Sequence, residues 1–222
     1  MRCERLKLIS IVENPTQSLL FLQYLSIHSC SELESFPMNE FSAHNLTYLD
    51  VSMRDKLNKG LTIQNLPNLV SFSNEGLPIN LQTFIVCSRG SSWTRAISEW
   101  SLQRLTCLTT LHIEGDDLLN ALMEMDMPLL SNSLVSIYIY NLFDVKCLDG
   151  KWLQHLSSLE NLEITYCRKL ESLPEERLPS SLSVLTIKKC PLLEASCKSN
   201  GGKEWPKISH IACLIINRKV II

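Results

Sequence analysis

An α/β array of stacked, similar units, each contributing one strand to a single parallel sheet, is the fold class this sequence predicts. Three observations lead there. The frame L-x-x-L-x-[IV]-x-x-C-x-x-L recurs along the chain, in its cleanest form as Leu22, Leu25, Ile27, Cys30 and Leu33. Its central anchors Phe84, Leu111, Ile137, Leu162 and Leu185 follow one another at steps of 27, 26, 25 and 23 residues. The stretches between them are mostly short and punctuated by proline, as in Gly76-Leu77-Pro78 and Leu178-Pro179-Ser180-Ser181. A period of roughly 20–29 residues belongs to units of one strand and one return segment that bury their apolar side only by stacking.

Taken in order, the chain starts with what reads as the second half of a unit, because Cys3 stands 27 residues before Cys30. That half-unit leaves an uncapped apolar edge, where fraying is expected. Strands are expected near Leu25, Leu49, Ile63, Phe84, Leu111, Ile137, Leu162 and Leu185. Leu46-Thr47-Tyr48-Leu49 and Leu61-Thr62-Ile63 stand too close for two complete units, so between residues 46 and 72 one copy is truncated or two are fused. Leu159 to Leu170 and Leu182 to Leu193 match the frame at every anchor. Leu81, Leu108 and Leu134 open weaker copies, and Asp116 or Leu142 stands in the cysteine slot of the last two. Between units, Trp93 to Leu105 spaces its apolar residues as a helix does, and Asp149 to Leu156 reads as a shorter one. Residues 195–222 are expected to cap the last unit through Trp205, Ile208 and Ile211. The whole chain, 1–222, is then one domain of about eight repeats: a leucine-rich-repeat horseshoe solenoid, with a parallel concave sheet and a mostly irregular or short-helical convex side.

The strand period of two fixes which side chains remain for function. Leu25 and Ile27 point into the stack while Tyr24, Ser26 and His28 point away, and the same holds in each copy. The candidate protein-binding surface is therefore the concave face, with Tyr24, His28, Tyr48, Asp50, His112, Glu114, Tyr138, Tyr140, Glu163 and Lys188 as its leading residues. Tyrosine offers large contact area with a polar tip and is enriched among interface hot spots. The competing reading is that these rings only pack on one another across a solvated sheet.

Composition narrows the rest. A net charge of −2 argues against nucleic acid or an anionic membrane as the main partner. No apolar run is long enough to span a bilayer, and the N-terminus lacks the apolar core of a signal peptide, so a soluble, cytoplasmic chain is expected. Of nine cysteines, Cys3, Cys30, Cys167 and Cys190 occupy the frame's own slot, a turn-in position suited to a small buried residue with a weak donor. Cys190, Cys197, His210 and Cys213 have zinc-ligand chemistry without the close C-x-x-C pairing, so packed thiols are the expected reading. Asn200-Gly201-Gly202-Lys203 is a polar turn rather than a phosphate cradle, and neither a G-x-S-x-G nor an H-E-x-x-H arrangement occurs. Asn45-Leu46-Thr47 is a formal glycosylation sequon at the start of a strand. No catalytic residue, cofactor or metal is expected.

Several segments carry a resemblance more specific than the period. Leu66-Pro67-Asn68-Leu69-Val70-Ser71-Phe72 with Asn74-Glu75-Gly76-Leu77-Pro78 is one, and Leu148-Asp149-Gly150 with Leu153-Gln154-His155-Leu156 is another. The run from Leu170-Glu171-Ser172-Leu173-Pro174 through Leu178-Pro179-Ser180-Ser181-Leu182 to Cys190-Pro191-Leu192-Leu193 is the third, closed by Lys203-Glu204-Trp205-Pro206. Together they resemble the leucine-rich-repeat region of plant coiled-coil, nucleotide-binding disease-resistance proteins, over nearly the whole chain. The resemblance implies a recognition and regulatory role toward a pathogen effector, a guarded host protein or the nucleotide-binding module of a receptor. Neither coiled coil nor nucleotide-binding module lies in this sequence, so no nucleotide site is carried over. The alternative function is an F-box-type leucine-rich-repeat adaptor recruiting substrates for ubiquitin ligation, which the lack of an F-box before the repeats disfavours.

Overall fold

The computed structural model describes residues 24–26, 48–51, 60–64, 81–87, 101–124, 130–175, 177–199 and 201–221. These build a mixed α/β chain around one open sheet of ten strands that pair in chain order. The strands are β1 (Tyr24–Ser26), β2 (Tyr48–Val51), β3 (Gly60–Gln64), β4 (Thr83–Cys87), β5 (Thr110–Glu114), β6 (Ser136–Tyr140), β7 (Asn161–Thr165), β8 (Val184–Lys188), β9 (Cys213–Ile216) and β10 (Lys219–Val220). The eight strands expected from the period are β1 to β8, and every pairing among them is parallel. In the crowded stretch 46–72 both copies supply a strand, with Leu49 opposite Leu61 and Val51 opposite Ile63.

Burial follows the two-residue alternation. In β5, β6 and β7 the inward residues Leu111 and Ile113, Ile137 and Ile139, Leu162 and Ile164 are all buried, while the residues between them are partly open. The return segments close the core with Leu118, Leu142, Leu148, Leu170, Leu173 and Leu193. Before β4, β5, β6 and β7 one carbonyl receives two successive N–H groups of the next unit: Gln82 from Thr109 and Thr110, Thr109 from Val135 and Ser136, Val135 from Glu160 and Asn161, Glu160 from Ser183 and Val184. Parallel neighbours are thereby locked in register one residue before the sheet begins.

Side chains add a second lock. Ser133 and Ser181 each stand just before a frame leucine, and their hydroxyls donate to the Leu108 and Leu159 carbonyls of the preceding unit at 2.7 and 2.8 Å, with the Leu105 and Leu156 carbonyls also within reach. The cysteine slot behaves as its chemistry suggests. Cys167 and Cys190 are fully buried, the Cys167 thiol donates to the Thr165 carbonyl, and the Cys190 thiol donates to that of Lys188. The Cys167 N–H donates in turn to the Cys190 sulfur at 3.4 Å. Its hydrogen bond with Cys190, then burial, pushes the Cys167 thiol up, so it stays protonated. Where the slot holds Asp116, its carboxylate accepts the N–H groups of Phe143, Asp144 and Val145 at 3.0–3.1 Å, satisfying three turn donors at once.

The connections differ from expectation in two places. Of the helix expected over Trp93 to Leu105, residues 93–100 lie outside the described residues, and Leu102–Arg104 is a single 3-10 turn. A helix that the spacing did not suggest, α1 (Asp116–Met123), follows β5 and buries Leu118, Leu119, Ala121 and Leu122, with Asp116 and Asp117 at the favourable N-terminal end of its dipole. The short helix expected near Asp149 is α2 (Lys151–Gln154). Beyond β8, α3 (Pro191–Ser196) and α4 (Trp205–Ile208) bury Leu193 and Ile208. β9 then continues the sheet in parallel and β10 turns back antiparallel, neither of which the frame announced. Glu204, at the N-cap of α4, is buried, and its carboxylate takes the Leu173 N–H at 3.1 Å and the Lys207 ammonium at 2.9 Å.

Candidate functional site

The face of the sheet turned away from the core carries the residues that stacking does not consume. Parallel register arranges them in rows across the strands. By register one row runs Asp50, Thr62, Ile85, His112, Tyr138, Glu163, Thr186 and Ile215, of which Ile85 and Thr186 are buried and His112, Tyr138, Glu163 and Ile215 partly open. The next runs Gln64, Cys87, Glu114, Tyr140, Thr165 and Lys188. Of the ten candidates, Asp50, His112, Tyr138 and Glu163 therefore share one row, and Glu114, Tyr140 and Lys188 share the adjacent one. Tyr24 stands opposite Tyr48 at the start of β1 and β2. His28 lies outside the described residues.

At the centre is an aromatic cluster. The His112 and Tyr138 rings stack with centroids 4.3 Å apart and planes 9° from parallel, and Tyr140 meets His112 edge-on at 6.3 Å. The edge-on contact is a geometry that aromatic quadrupoles favour. Burial lowers the His112 imidazole to about 4, against a smaller opposing pull from Glu163, so the ring is neutral near pH 7. Glu163 is tied down by the Lys188 ammonium at 2.9 Å and the Thr165 hydroxyl at 3.1 Å. Glu114 accepts from the Asn141 amide at 2.8 Å. His112, Tyr138, Tyr140, Asn141, Glu163, Thr165 and Tyr166 line a depression of about 460 Å³.

The residues that strand periodicity missed lie one step past the strands. Gly115, Asn141, Tyr166, Lys189 and Asn217, each the first residue after its strand, all adopt positive φ, between 46° and 96°. They form the corner where each strand turns into its return segment. Glycine and asparagine tolerate that conformation. Tyr166 and Lys189 do so only against strain on the order of 1–2 kcal/mol each. The Lys189 ammonium donates to the Tyr166 hydroxyl at 3.0 Å and lies 4.6 Å from the ring centroid, and the phenol is about half exposed. A second depression of about 440 Å³ opens here, sharing Thr165 and Tyr166 with the first. Sequence reasoning could have found this column by aligning the residue after each strand, where Gly115, Asn141 and Asn217 already give the conformation away.

The arrangement offers ring faces, fixed carboxylate and ammonium groups and hydrogen-bonding hydroxyls side by side. No three histidine, cysteine or acidic side chains gather as a metal would require among the described residues. Of the zinc-type set, Cys190 and Cys197 are buried, Cys213 is half-buried and His210 exposed. Burial, reinforced by Glu204, pushes the Cys197 thiol up to about 12. No helix among the described residues is long and apolar enough to cross a membrane.

An open, mostly parallel α/β sheet that buries one face and leaves a polar and aromatic other face is the class of structure these observations define. Compared with known proteins, the chain is similar to a candidate disease resistance protein of Arabidopsis thaliana, with 35% identity over 120 residues. That stretch covers 53% of this chain and 8% of the plant protein. No family model matches the chain, and no solved structure does.

Proposed function

We propose that the chain is a non-enzymatic protein-recognition module of a plant intracellular immune receptor, a leucine-rich-repeat solenoid that reads a pathogen effector or a guarded host protein and regulates receptor activation. The observation that carries this reading is the His112–Tyr138–Tyr140 cluster, standing in register on the sheet face that the core does not use. Partial similarity to a plant protein described in terms of disease resistance supports the immune context. A preformed aromatic cluster flanked by the fixed Glu163–Lys188 pair gives a partner a rigid anchor ringed by polar contacts, the arrangement in which truncations are most damaging. The reading places the chain in the cytoplasm, with no cofactor.

The test is the double variant Tyr138→Ala, Tyr140→Ala in a reconstituted full-length receptor. Partner binding or immune signalling should be abolished, a loss of about 2 kcal/mol or more at a hot spot. The circular dichroism spectrum and thermal midpoint should stay close to those of the parent, since both side chains sit outside the core. Undiminished binding by a folded variant would remove this part of the sheet from the recognition surface.

A further inference from the structure

Three side chains hold left-handed backbone where glycine or asparagine would sit with less strain, and all three line the same depression. Tyr166 (φ 58°) and Lys189 (φ 52°) occupy the corner after β7 and β8, in the column where other strands use Gly115, Asn141 and Asn217. Arg218 (φ 68°) follows Asn217 (φ 46°) in the two-residue turn that joins β9 to the antiparallel β10. A turn with two successive positive φ values favours Asn-Gly, so arginine stands at the glycine position.

Charge gives the corner a direction. Of the cations that line it, Lys188 is neutralised by Glu163. Neither Lys189 nor Arg218 meets a carboxylate among the described residues; Lys189 instead holds the Tyr166 phenol. Lys189 and Arg218 line the same depression as Tyr166, and the hydrogen bond from Lys189, its charge and, more weakly, the Arg218 charge draw the phenol below its usual range. Two carboxylates are tied to residues that line the depression, Glu163 to Lys188 and Glu194 to the Asn217 amide at 2.6 Å. Such a site suits one anionic side chain and disfavours the successive charges of a nucleic acid backbone.

We propose that this corner docks an acidic segment of a protein partner, one carboxylate side chain lying between Lys189 and Arg218 and the adjoining chain resting on Tyr166. The inference rests on the recognition reading and extends its surface past the strand ends. It also explains the strained residues, since relieving the strain removes the side chains that make the contact.

The probe is a short fluorescent peptide of alternating glutamate and glycine, with its glutamine counterpart and a short single-stranded DNA as comparators, titrated against the full chain by anisotropy. The glutamate peptide should bind, more weakly as salt rises, and the glutamine peptide should not. Lys189→Gly with Arg218→Gly should weaken glutamate-peptide binding at least about tenfold while the thermal midpoint holds or rises, because glycine relaxes both positions. Equal binding of both peptides, indifference to the double glycine variant, or tighter binding of the DNA through the same residues each overturns the proposal. Tyr138→Ala, Tyr140→Ala keeps the two readings apart. It should leave glutamate-peptide binding intact, so retained partner binding in that variant counts against the aromatic cluster alone, and a corner indifferent to its own variants counts against this inference alone.

Discussion

His112 shows how one residue's neighbours reverse what its type suggests. As an outward strand residue it is expected to be an exposed histidine, yet the Tyr138 ring stacked on one side and Tyr140 edge-on remove enough water to lower its pKa to about 4. In the unfolded chain the same ring titrates near 6.5. Between those values the unfolded state binds more protons, so stability present above pH 6.5 is lost as pH falls toward 4. After discounting for the part of the ring that solvent reaches, the loss is on the order of 1–2 kcal/mol. His112→Phe keeps a stacking ring and cannot titrate. Urea unfolding of both proteins across that pH window should show the parent losing that much more stability than the variant, and parallel curves would mean the ring is solvated. Position was readable for this residue, because alternation places it on the outward face. Its protonation was not, because that depends on rings contributed 26 and 28 residues later.

At the scale of elements, the frame leucines carry the strands. Leu162 and Leu185 are essentially fully buried and stand opposite each other in the β7–β8 ladder. Leu→Ala at either should cost about 2–5 kcal/mol in chemical denaturation, and a value under about 1 kcal/mol would place the residue outside the core. Strand positions were legible because each is specified locally, by a two-residue alternation between turn signals. The connections were less so. α1 was missed because Asp116 stands where the frame has cysteine, and a helix of eight residues leaves little periodicity to detect. Its start is settled by a distant interaction: the Asp116 carboxylate satisfies the N–H groups of Phe143 to Val145 in the next unit. The corner residues escaped notice for a related reason, since positive φ at Tyr166 and Lys189 opposes their intrinsic preference and is imposed by the pairing on either side.

For the molecule as a whole, the decisive feature is an open sheet whose last parallel strands need cover. β9 lies against β8, burying Leu214, and the Asn217 N–H continues the ladder to the Ile187 carbonyl. β10 then presents only two residues, with Lys219 among them, as the outer edge. A short, charged edge discourages pairing with another chain. Deleting residues 213–222 should uncover β8 along its length, and the shortened chain should self-associate more strongly than the parent in light scattering. A monodisperse, equally stable truncation would show that α3 and α4 suffice as cover.

By itself, the sequence determined the number, place and common direction of strands β1 to β8, because a fixed apolar period leaves one way to bury every anchor and one face left over. It also assigned two of the slot cysteines, Cys167 and Cys190, to the interior. The tertiary structure alone decided which outward residues meet: the His112–Tyr138–Tyr140 stack, the Glu163–Lys188 pair and the strained corner of Tyr166, Lys189 and Arg218. The physical reason is range. Alternation and turn chemistry act over a few residues, whereas stacking, ion pairing and forced backbone angles join side chains a full period apart, and only the register of the assembled sheet brings those together.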